Sequence, residues 1–196
     1  MKTRFTLLVS LTVVFASALA GCGSPPPASP VCVDFEPPLV LGTQYGTPAG
    51  HAPGTVVFTS NGIPVSVYDF FFVGGGSTFN VAEIAVAPVP FSPGQSINTN
   101  NINLEFDFTG LSFEATALRL SYLDLGGNEN LSVNGSPLHI GELSAAPSPM
   151  GGVNVTVSTV AVPGGQRGNV SLSGGTIKRL RIGGQEFWLD QVCAIP

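Results

Sequence analysis

The chain has 196 residues, enough for one domain with a core of its own. Its formal net charge is −5 and only 10% of its residues are charged, which leaves no basic surface for a nucleic-acid partner. Twenty-five glycines and 17 prolines imply many turns, but the content of Val, Ile, Leu and Phe is too high for a disordered chain.

The first element is an apolar run. Lys2 and Arg4 precede Phe5 to Leu19, which is broken only by Thr6, Ser10, Thr12 and Ser17. The run is shorter than the about 20 residues that span a bilayer and has the form of a signal-peptide core. It ends in Leu19-Ala20-Gly21-Cys22, which resembles the lipobox of bacterial lipoproteins. That resemblance implies removal of residues 1–21 and a lipid on Cys22, the new N-terminus. Two or more acyl chains hold a membrane durably where one does not. Cleavage without lipidation is the alternative. Gly23 stands where an aspartate usually means inner-membrane retention in Gram-negative lipoproteins, so the expected address is the cell envelope, at the outer membrane. Loss of Lys2 and Arg4 takes the net charge from −5 to −7. Residues 22–30 are the lipidated cysteine and a linker. Ser24-Pro25-Pro26-Pro27-Ala28-Ser29-Pro30 is a polyproline-type spacer of roughly 20 Å, at about 3.1 Å per residue.

Residues 31–196 form the expected domain. Two-residue alternation dominates it, and no stretch has convincing helical spacing. Val65, Val67 and Tyr68 to Phe72 read as one long apolar strand. Leu104, Phe106 and Phe108 alternate with Glu105 and Asp107; Leu118, Leu120 and Tyr122 alternate with Arg119 and Ser121. Val153, Val155 and Val157 alternate with Asn154, Thr156 and Ser158. Each run has one buried and one wet face, the pattern of antiparallel sheets packed face to face. Asn61-Gly62, Gly126-Gly127-Asn128, Asn134-Gly135, Gly164-Gly165, Gly174-Gly175 and Gly183-Gly184 supply turns. The last pair reads as a closing hairpin between Ile177–Ile182 and Glu186–Val192. The expected fold is an all-β antiparallel sandwich of jelly-roll type in one domain.

With Cys22 lipidated, Cys32 and Cys193 remain. Two thiols in an exported protein are expected to pair. The bridge would close 161 residues and set the first and last strands side by side. Two separate buried thiols are the alternative.

Catalytic signatures are absent. His51 and His139 are the only histidines and lie in no zinc-binding arrangement. No serine occupies a nucleophile elbow. Gly74-Gly75-Gly76 lacks the Lys and Ser/Thr of a phosphate loop and reads as a hairpin loop. A carboxylate pair for glycoside hydrolysis is a spatial property and stays open. The expectation is a protein that is not an enzyme.

Cys32-Val33-Asp34-Phe35-Glu36 and Gly184-Gln185-Glu186-Phe187-Trp188-Leu189-Asp190 resemble the terminal strands of galactose-binding-like and carbohydrate-binding modules. The resemblance implies adjacent terminal strands and a structural calcium at Asp34, Glu36 and Asp190. Calcium takes 6–8 oxygens, so carbonyls and water would complete the shell. Charges that protect a sheet edge explain the same acids. Trp188 shares a face with Glu186 and Asp190, and reads either as a sugar-stacking ring or as packing. Asp124, Asn128, Glu129 and Asn130 lie in a loop between strands and read as a polar ligand site or as turn-forming residues. The function expected from all this is noncatalytic binding at a membrane, with a glycan as the candidate ligand. The alternative is a structural or assembly component that binds another envelope protein.

Overall fold

A computed structural model describes residues 28–196; Cys22 and the signal segment lie outside the described residues. Sixteen strands are present among them: β1 (Val31–Val33), β2 (Gln44–Gly46), β3 (Val56–Ser60), β4 (Ile63–Tyr68), β5 (Phe70–Phe71), β6 (Ser77–Thr78), β7 (Val81–Ala85), β8 (Ser96–Asn100), β9 (Ile102–Asp107), β10 (Ala117–Asp124), β11 (Glu129–Val133), β12 (His139–Gly141), β13 (Asn154–Val162), β14 (Gly165–Ser173), β15 (Arg179–Gly184) and β16 (Phe187–Ile195). One sheet has eight strands, in the order β13-β14-β10-β16-β8-β7-β2, with β1 also on β16. The other has six, in the order β12-β11-β15-β9-β4-β3, and β5 with β6 forms a small separate hairpin. Every pairing is antiparallel. The fold is an antiparallel β-sandwich, as the alternation predicts.

The core lies between the two inner faces. Leu118, Leu120 and Tyr122 of β10 and Phe187 and Leu189 of β16 belong to the same buried cluster as Val65 and Val67 of β4, Leu104 and Phe106 of β9, and Leu131 and Val133 of β11. Full burial of each such side chain contributes about 1.5–3 kcal/mol.

The terminal strands are neighbours. The free edge of β16 is shared end to end: Phe187–Leu189 pair with β8, and Val192–Ala194 pair with β1. Between them the register against β10 shifts, so that Gln191 and Val192 together oppose Leu120. Gln191 takes a positive φ of 52° at this bulge. The extra residue resets the alternation. Val192 and Ala194 join Phe187 and Leu189 in the core, and Cys193 turns away from it, opposite Cys32 in the ladder. Cys32 and Cys193 are disulfide-bonded across 161 residues.

Two expected elements differ. The apolar run from Val65 to Phe72 is not one strand: β4 ends at Tyr68, and Phe70–Phe71 fold back onto Ser77–Thr78 through Gly74–Gly76. Gly183-Gly184 is not a hairpin turn but the end of β15, and β15 and β16 lie in different sheets. A side chain on Gly183 would strike the Ile102 backbone and Asn103, and one on Gly184 would strike Phe187. These glycines therefore mark close approach of backbones, not a reversal of the chain.

Candidate functional site

The alternation that builds the core also builds a polar site at its mouth. In β10, Asp124 follows Leu118, Leu120 and Tyr122 in phase. In β11, Glu129 precedes Leu131 and Val133 in phase. Each acid therefore ends the inward-facing row of its own sheet, and the four-residue loop Leu125 to Asn128 joins the two rows. Both are buried, Glu129 to 1% exposure. Glu142, exposed in the turn after β12, completes the group: one carboxylate oxygen from each of Asp124, Glu129 and Glu142 lies within 4.8 Å of the others.

Backbone and amide donors hold the outer two acids. Asp124 Oδ1 accepts from the Gly126 N–H at 2.9 Å, and its Oδ2 accepts from Gln166 Nε2 at 2.8 Å. The same Gln166 amide donates to Glu142 Oε2 at 3.1 Å. Gly165 opens β14 so close to β10 that a side chain there would meet the Asp124 carbonyl, which is why glycine carries the chain past this point. Glu129 Oε2 accepts from the Leu143 N–H at 3.1 Å, whereas its buried Oε1 has no partner. Burial, and then the charges of Asp124 and Glu142, push the Glu129 carboxyl from 4.5 up to about 8. No basic side chain forms an ion pair with the group; the two ion pairs among the described residues are Arg179–Asp107 and Arg181–Glu105. A cavity of about 350 Å³ opens over Asp124, Glu142 and Gln166, walled by Gly126, Gly127 and the β13–β14 turn.

Asn128 has a different task. Its Nδ2 donates to the Phe71 carbonyl at 3.1 Å and its Oδ1 accepts from the Val73 N–H at 3.4 Å. Buried Asn130 does the same one step inward: Oδ1 accepts from the Phe71 N–H at 2.8 Å and from Asn103 Nδ2 at 3.0 Å, and Nδ2 donates to the Phe71 carbonyl at 2.9 Å. Together they moor the β5–β6 hairpin.

Asp34, Glu36 and Asp190 lie in one neighbourhood but are separately engaged. Asp34 is exposed and accepts the Glu36 N–H at 3.3 Å. Glu36 Oε1 accepts the Gln95 N–H at 2.8 Å. Asp190, 1% exposed, accepts from the Ser92 hydroxyl and from the Gln191 N–H at 2.7 Å. Burial raises Asp190 from 3.8 to about 6; these hydrogen bonds oppose the rise, and the charges of Glu36 and Asp34 add to it. The three do not form a group like that of Asp124, Glu129 and Glu142.

Trp188 does share the outer face with Asp190, yet it is only 8% exposed. The loop from residue 86 to residue 95 crosses this face: Ser92 reaches Asp190 on β16, and Arg167 on β14 donates to the Pro90 carbonyl at 2.5 Å. Trp188 and Leu123 are buried outside the main core, and Trp188 borders a small cavity with Asn98, Asn100, Leu125 and Glu186.

The sequence therefore named Asp124 and Glu129 but not Glu142, set beside Glu129 by the β11–β12 pairing, or Gln166, which arrives from β14. Comparison with family models, curated proteins and solved structures gives no match to this chain.

Proposed function

We propose that this chain is a lipid-anchored, extracytoplasmic binding domain of a bacterial cell envelope, displayed from the outer membrane and without catalysis of its own. Cys22 carries the lipid, and the Pro-rich linker lifts the sandwich from the membrane. One observation supports display above all. β1 enters the sandwich at the end opposite the acidic rim. Val31 pairs with Ala194, Ala194 pairs with Leu118, and Asp124 lies six residues further along β10. At about 3.3 Å per residue that is roughly 20 Å. A domain tethered through its N-terminal chain thus carries the Asp124–Glu129–Glu142 rim on its far side, where a ligand in the surroundings reaches it.

A glycan is the first ligand class, met through polar side chains of this rim, because Trp188 offers little ring surface. Binding to another envelope protein is the second. It is favoured by the β5–β6 hairpin at the same end, where Phe71 and Val73 are exposed.

The anchor is tested by Cys22→Ser. The variant should move from the membrane to the soluble fraction and lose the acyl mass; a wild-type protein that is soluble and unacylated defeats the proposal. The ligand is tested with the full-length protein on a glycan array and by cross-linking in intact envelopes. A glycan signal lost in Glu142→Gln supports the first class, and a cross-link from residue 73 to one defined protein supports the second.

A further inference from the structure

We propose that Asp124, Glu129 and Glu142 hold one divalent cation of the hard, oxygen-seeking class, with calcium the first candidate. The inference deepens the display reading: the orientation of the site rests on that reading, its chemistry does not.

Three carboxylates converge with no basic partner, and that alone would be an ordinary acidic patch. The second observation is the state of Glu129. It is 1% exposed, its Oε2 is used by the Leu143 N–H, and its Oε1 meets no donor. A carboxylate oxygen buried without a partner is costly, so such atoms are rare unless something satisfies them. Two things satisfy an oxygen beside other carboxylates: a proton shared within a pair, or a cation. A proton shared between Glu129 and Asp124 serves that pair in the ion-free protein, and a bound cation displaces it. Here a third, Glu142, is brought to the same point from another element, and the Gln166 amide holds it beside Asp124.

The donor set selects the cation. It consists of oxygens alone, with no imidazole or thiolate, which suits calcium, magnesium or manganese and not zinc or copper. The geometry divides the work. Asp124 and Glu129 come from the rigid ends of β10 and β11, one from each sheet, so an ion between them ties the sheets together at the mouth of the sandwich. Exposed Glu142 stands on the solvent side, and the cavity above it has room for the waters that complete a shell of 6–8 oxygens.

The test uses purified full-length protein, stripped with chelator and then titrated with calcium, magnesium or manganese. Binding is followed by calorimetry and equilibrium dialysis, and the melting temperature by differential scanning. The expected result is one saturable site per chain and a melting temperature that rises with the ion. Glu129→Gln replaces the acid by a neutral group of the same shape and should fold with an unchanged circular-dichroism spectrum. It should lose the ion and the thermal shift together. Glu142→Gln, on the exposed side, should weaken binding at least tenfold without lowering the melting temperature of the stripped protein. Wild-type protein that binds none of the three ions at millimolar concentration overturns the proposal, as does binding that survives Glu129→Gln. A protein that binds the ion but stays soluble without a lipid defeats only the display reading.

Discussion

Asp190 offers a sharp test of the physical account of the outer face. Its carboxyl is sealed beneath the loop that crosses β16, and its value rises from 3.8 to about 6. Between these two values the folded state binds more protons than the unfolded one. Stability therefore falls as pH rises from about 4 to about 6, and is flat above. The difference is about two units, and at 1.36 kcal/mol each the ceiling is about 3 kcal/mol. Asp190→Asn removes the charge and keeps the shape. Its carbonyl oxygen accepts the Gln191 N–H, and its amide donates to the Ser92 hydroxyl. The variant should thus be as stable as wild type at pH 4 and more stable at pH 7, by up to about 3 kcal/mol. Urea unfolding of both proteins at half-unit steps from pH 4 to pH 8, in chelator, measures the gap. Subtracting the curves removes the contribution of every other group, Glu129 included. Parallel curves, or a variant weaker than wild type at pH 7, would refute the reasoning: Asp190 would then be stabilised as an anion, and its burial would not dominate.

Two further outcomes follow from the fold. Replacing both Cys32 and Cys193 by Ser releases a loop of 161 residues, and the chain-entropy model sets the loss at up to about 5 kcal/mol, read from the urea midpoint under non-reducing conditions. A midpoint that does not move would mean the bridge adds nothing beyond the pairing of β1 with β16. Asn130→Ala removes the side chain that holds both polar groups of the Phe71 backbone. It should cost about 1–3 kcal/mol and open the hairpin to proteolysis between residues 72 and 77, while β10 and β16 keep their hydrogen-exchange protection.

Much of the sandwich is legible in the sequence because alternation reports burial directly. Leu104, Phe106, Leu118, Leu120 and Tyr122 are core residues for the reason their spacing suggests. Glycine is less informative. Asn61-Gly62 does turn the chain between β3 and β4, with positive φ at both residues, whereas Gly183-Gly184 lies inside a strand. The same dipeptide logic fits both, and only the crowding by Ile102, Asn103 and Phe187 separates them. The acidic site was half legible. Asp124 is in phase with Tyr122, and Glu129 with Leu131, so both acids could be assigned to inner faces from period alone. Glu142 reaches Glu129 because β12 pairs with β11 and sets Gly141 opposite it, a register the sequence does not print, and Asp124 joins them from the other sheet. Trp188 shows the opposite case. Its phase sets it on the face opposite Phe187 and Leu189, yet only 8% of it is exposed there, which alternation does not reveal.

The clamp between the first and last strands also sets how the domain carries load. A pull on the chain before Val31 acts first on β1, whose three residues would peel from β16 one bond at a time. The covalent link at Cys32 stops that unzipping and passes the tension to Cys193. There it enters a central strand, held by β10 along one side and by β8 and β1 in turn along the other. Reduction of that one bond would therefore return such a load from a central strand to a short peripheral one.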